Sequence, residues 1–81
     1  MSEYPDFDNL PDWVTPGISY RINGKKYHVR GIIDGQAVVC WWSRERLRWR
    51  YFVEGPEWFA SAWHLFTDIK PSGDHWSTPN D

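Results

Sequence analysis

Residues 18–42 read ISYRINGKKYHVRGIIDGQAVVCWW, and two dipeptides within that stretch decide the fold. Asn23-Gly24 and Asp34-Gly35 are the pairs that most readily supply the two positive φ values of a type I′ turn, so each predicts a two-residue β-hairpin. A two-residue turn also dictates register. The first sets Ile22 opposite Lys25, Arg21 opposite Lys26, Tyr20 opposite Tyr27, Ser19 opposite His28 and Ile18 opposite Val29. The second sets Ile32 opposite Ala37, Arg30 opposite Val39, Val29 opposite Cys40, His28 opposite Trp41 and Tyr27 opposite Trp42. Farther out, SRERLR separates AVVCWW from a fourth apolar run, RWRYFV. Any even-length loop there puts Val38, Cys40 and Trp42 on the same face as Trp49, Tyr51 and Val53.

Collected by parity, one face holds Ile18, Tyr20, Tyr27, Val29, Val38, Cys40, Trp42, Trp49, Tyr51 and Val53 and is the expected core. The other holds Ser19, Arg21, Lys26, His28, Arg30, Ala37, Val39, Trp41, Arg48, Arg50 and Phe52, a basic face with apolar residues between the charges. After Gly55 the period changes. In PEWFASAWHLFTDI (56–69) the residues Trp58, Phe59, Ala62, Trp63, Phe66 and Ile69 recur at three and four, which predicts a short helix opened by Pro56 and closed before Pro71 and Gly73. The expected class is therefore mainly β with a short C-terminal helix: a small antiparallel meander of four to five strands. Three segments follow: an extended, acidic and aromatic segment over 1–16, one domain over 17–70, and a flexible tail over 71–81. Residues 1–12 and 72–81 are expected to be dispensable for folding. In shape, a twisted meander closed by a helix resembles an SH3-like barrel or half-barrel and the small chromatin proteins that lay a triple-stranded sheet on DNA. That likeness is one of shape alone, and one fold hosts many functions.

Composition narrows the function. Eighty-one residues make one core, and 19% aromatic residues, seven of them Trp, compensate for the short length. A single cysteine, Cys40, excludes an internal disulfide framework and points to the cytoplasm as the compartment. No apolar run approaches the roughly 18 residues of a membrane span, and MSEYPDFDN lacks the regions of a signal peptide. No GxSxG, Walker loop, GxGxxG or HExxH occurs, the three histidines and Cys40 lack metal-ligand spacing, and a buried thiol is inert. No enzyme, cofactor or metal is expected.

The net charge of −2 conceals segregation: residues 1–16 carry four acids and no base, residues 17–52 carry eight bases and two acids, and residues 53–81 carry five acids and one base. Arg21 directly opposite Lys26, with Arg30 nearby, places like charges side by side, which costs stability unless an anion covers them. A nucleic acid, DNA or RNA, supplies that anion and lays bases on aromatic rings. The expected binding set is Arg21, Lys26, Arg30, Arg44, Arg46, Arg48 and Arg50 for phosphates, with His28, Trp41 and Phe52 for stacking or groove contact. The competing expectation is a protein-interaction module, such as a small accessory or inhibitor protein of a phage or other mobile element, since Trp and Arg anchor protein interfaces and acidic proteins meet basic faces. Either reading suits a monomer or small homo-oligomer.

Overall fold

Both hairpins form where the turn dipeptides stand. In the computed structural model, which describes residues 7–73, Asn23 and Gly24 have φ of 53° and 83°, and Asp34 and Gly35 have φ of 51° and 75°. These are the left-handed values a type I′ turn demands. They join β1 (Ile18–Ile22) to β2 (Lys25–Ile33) and β2 to β3 (Gln36–Ser43). Residues 44–47 lead to β4 (Arg48–Glu54); Leu47 takes a φ of 53° and the Arg46 amide donates to Ser43 Oγ at 3.2 Å, closing the loop. A fifth strand, β5 (Thr67–Pro71), returns to pair with β1. All neighbours are antiparallel, in one open sheet of order β4-β3-β2-β1-β5.

The β1–β2 register is as expected, from Ile22↔Lys25 to Ser19↔His28. The β3–β4 loop is even, so Trp42 pairs with Trp49 and Cys40 with Tyr51. Between β2 and β3 the expected register fails at one residue. Ile32↔Ala37 and Gly31↔Val38 hold, but the next pair is Val29↔Val39, leaving Arg30 as the extra residue of a β-bulge. Beyond it His28 pairs with Cys40 instead of Trp41. A one-residue offset exchanges the faces of everything it joins, so β3 and β4 are turned over relative to the expectation.

The core face consequently holds Tyr20, Tyr27 and Val29 from the first hairpin with Ala37, Val39 and Phe52 from the last two strands. Val38, Cys40, Trp42, Trp49, Tyr51 and Val53, expected in the core, occupy the opposite face, which we call the open face. Packing explains the choice. The small side chains of Ala37 and Val39 leave room for Phe59, fully buried on α1 (Pro56–Ser61), to reach the sheet among the rings of Trp13, Tyr20, Trp58 and Phe66. Val14 is buried in the same cluster, and Leu10 and Trp13 pack against it, so the opening segment from Leu10 onward completes the core.

The helix is shorter than its apolar stripe predicts. It ends at Ser61, one 3₁₀ turn (Trp63–Leu65) follows, and Trp63 is left exposed. The outer edge of β1 carries backbone groups that need partners, and β5 supplies them, which outweighs continued helix. β5 has its own bulge: the register shifts between Ser19 and Arg21, and Asp68 there has a φ of 54°. Pro71, assigned to the tail by sequence, lies in β5, and the Ser72 amide donates to the Gly17 carbonyl at 2.7 Å. The rest of the tail from residue 74, and the opening segment up to residue 6 with two of its four acids, lie outside the described residues.

Candidate nucleic-acid interface

The bulge at Arg30 divides the predicted basic face. Arg21, Lys26, His28 and Arg30 remain together on β1 and β2, on the open face. Trp41, Arg48, Arg50 and Phe52 sit on the core face, and Arg44 and Arg46 belong to the 44–47 loop. Phe52 is half-buried against the core, so it is not a stacking platform. Trp41 lies at the core-face rim, where Lys25 Nζ stands 3.3 Å from its ring centroid, a cation–π contact. His28 is buried: its ring edge meets Trp49 at 5.6 Å between centroids and its Nδ1 is 2.8 Å from Ser72 Oγ. Its expected stacking role has no accessible surface to act through.

In exchange, the open face gains rings that sequence parity had placed inside. Trp42 and Trp49 pack edge to face at 5.5 Å, and Tyr51, 55% exposed, continues the row along β4. The Arg30 guanidinium lies 5.7 Å from the Tyr51 ring centroid and donates to the Tyr51 hydroxyl at 3.0 Å. Cys40 is buried, which pushes its thiol above the ordinary range, and the nearby Arg30 charge offsets this in part.

The positive charge is organised by end rather than by face. In an antiparallel meander the 23–24 turn and the 44–47 loop share one end of the sheet. That end carries Arg21, Lys25, Lys26, Arg44, Arg46, Arg48 and Arg50, with Glu45 and Asp68 as the acids beside them. The other end carries Asp34 in its turn, Glu54 at the close of β4 and Glu57 in the first helical turn. Trp42 and Trp49 are the open-face pair next to the basic end, one step from the closing pair Ser43↔Arg48.

The like charges on β1 and β2 need no external anion. Asp68, at the β5 bulge with a left-handed backbone, brings Oδ2 to 3.4 Å from Arg21 Nε and 3.4 Å from Lys70 Nζ, and Arg21 also donates to the Gly24 carbonyl at 2.7 Å. The Arg21–Lys26 juxtaposition is relieved from within. Compared with known proteins, the chain matches no family model, no curated protein and no solved structure. No three His, Cys, Asp or Glu side chains converge as a metal site among the described residues, and no described helix is long and apolar enough to cross a membrane.

One signal for the bulge was present in the sequence. Gly31 interrupts the strand KKYHVRGII, and an isolated glycine within a strand points to a bulge or a close backbone approach. The aromatic row lies on the open face because the register shifts beside that glycine, at Arg30.

Proposed function

We propose that the chain is a non-enzymatic module that binds single-stranded nucleic acid, with phosphates held at the basic end of the sheet and bases stacked along Trp49, Trp42 and Tyr51. The observation that carries the reading is the row of rings on an open sheet face beginning one residue pair from a cluster of seven Lys and Arg. Every base has a π-face and every nucleotide a phosphate, so alternating ring and cation surfaces fit a flexible strand better than a closed duplex. Lys26 and Arg30, on the same face as the rings, flank the path. Arg44, Arg46, Arg48 and Arg50 serve as its electrostatic entry. An SH3-like curl of the sheet and a cytoplasmic site of action belong to this same reading.

A protein partner is the second reading, favoured by the aliphatic part of the open face: Val53 is 52% and Ile33 62% exposed, more than a base-stacking surface requires. A small accessory protein of a phage or other mobile element would use such a patch.

One titration separates the two. The ¹⁵N-labelled chain, mixed at low salt with single-stranded DNA, RNA and duplex DNA in turn, is expected to shift the Trp42 and Trp49 indole signals with the single strands. Trp49→Ala is expected to weaken binding by about 1–3 kcal/mol with the salt slope unchanged, because stacking releases no counterions. Arg44→Ala with Arg46→Ala is expected to lower the log–log salt slope by about 0.7 for each phosphate no longer neutralised. Failure to bind any nucleic acid at low salt ends the first reading and leaves the aliphatic patch to a protein partner.

A further inference from the structure

The two edges of the sheet are treated differently. β5 carries the devices that keep a strand edge from pairing: a bulge at Asp68, the cation Lys70 and a terminal proline, Pro71. β4, the other edge strand, reads RWRYFVE without proline, glycine or lysine and pairs residue for residue with β3 through all seven positions, with no register shift. Among the described strands, none lies beyond it. An edge this regular is a template for another strand, and its sequence is self-complementary.

We propose that a second copy of this chain adds to that edge, β4 against β4 of its partner, about a two-fold axis normal to the sheet. Such an axis joins like faces, so the register can slip only in steps that keep odd residues opposite odd and even opposite even. With Tyr51 opposite Tyr51 of the partner subunit, all seven residues pair: Arg48 faces Glu54 of the partner subunit at both ends and Trp49 faces the partner's Val53. Arg48 and Glu54 are on the same face, so each cross-strand pair brings opposite charges together. A slip one way sets Arg50 against the partner's Arg50; a slip the other way leaves Arg48 without a pairing position and shortens the ladder to five residues. Charge and overlap select the same register. The arrangement sets the basic end of each sheet beside the acidic end of the other and makes one ten-stranded sheet with the two aromatic rows adjoining on one face. It rests on the edge alone and stands whether the open face takes a nucleic acid or a protein.

The test is the association state of the full chain by analytical ultracentrifugation from about 1 μM to 1 mM, with the Arg48→Glu and Glu54→Arg variants and the double exchange. A concentration-dependent dimer is expected. Each single reversal, which sets like charges opposite at both ends, should weaken it at least about tenfold, and the double exchange should restore it to within about threefold. Under mild oxidation Tyr51→Cys should form a disulfide-linked dimer and Val53→Cys should not, since residue 53 faces residue 49 of the partner subunit; Cys40, buried, does not compete. A wild-type chain monomeric throughout, single reversals without effect, a double exchange that stays weak, or cross-linking at 53 in preference to 51 would each overturn the proposal.

Discussion

Phe59→Ala is the substitution that probes this fold most directly. The side chain has no exposed surface and joins three parts of the molecule: Trp13 of the opening segment at 5.9 Å between ring centroids, Tyr20 of β1 at 6.2 Å, and Trp58 and Phe66 around the helix at 4.9 and 5.5 Å. Removing a fully buried phenyl ring costs about 3–5 kcal/mol, made up of forfeited transfer free energy and the cavity left behind. The edge-to-face partners place it toward the upper end, since such pairs add about 0.5–1.5 kcal/mol beyond their area. A chain this size has about 4–12 kcal/mol of total stability, so the variant loses a large share of it. At about 4–8 °C per kcal/mol the midpoint should fall by roughly 12–40 °C. Urea unfolding followed by tryptophan fluorescence measures the loss. Phe59→Leu keeps most of the volume and should lose less than about 1.5 kcal/mol. Tyr51→Ala, on the open face, should lose less than about 1 kcal/mol. If Phe59→Ala loses less than about 1 kcal/mol, or Tyr51→Ala loses as much as Phe59→Ala, the core is not on the face described.

Further outcomes follow from two residues, Tyr20 and Arg30. The Tyr20 hydroxyl is buried without a hydrogen-bond partner among the described residues, so Tyr20→Phe should be neutral or stabilising by up to about 2 kcal/mol in thermal melts at neutral pH. Burial, chiefly, with a smaller contribution from Tyr27, holds its ionisation well above the ordinary tyrosine range. The folded chain thus keeps a proton the unfolded chain releases above about pH 10, and wild-type stability should fall there by up to about 1.4 kcal/mol per pH unit from this group, a component that Tyr20→Phe removes. Deleting Arg30, the extra residue of the bulge, should leave a continuous β2–β3 ladder with Val29 still opposite Val39, seen as a retained cross-strand Hα–Hα proximity by NMR. Loss of that proximity, or its transfer to Val29 and Cys40, would show that Arg30 does more than supply the one extra residue of the ladder.

The parts of this fold that local chemistry governs were legible in the sequence. Asn23-Gly24 and Asp34-Gly35 take the backbone angles their residues favour, the first four strands run where the sequence places them, and the first hairpin's register follows from a two-residue turn. The opening of α1 at Pro56 is local in the same sense. What the chain did not announce is which side of β3 and β4 faces inward, because both sides carry large apolar residues: Trp41 and Phe52 on one, Trp42, Trp49 and Tyr51 on the other. Alternation alone cannot rank two such faces. The ranking came from outside the strands, from Phe59, Trp13 and Val14 needing the shallow surface over Ala37 and Val39, with the bulge at Arg30 absorbing the offset. The end of the helix was decided in the same way. A stripe at helical spacing continues to Ile69, yet the unpaired edge of β1 took residues 67–71 as a strand, because hydrogen bonds to a waiting sheet edge outweigh a few more residues of helix. The basic residues were visible one by one, but their gathering at one end, and the internal neutralisation of Arg21 by Asp68 from far along the chain, exist only once the strands are laid side by side.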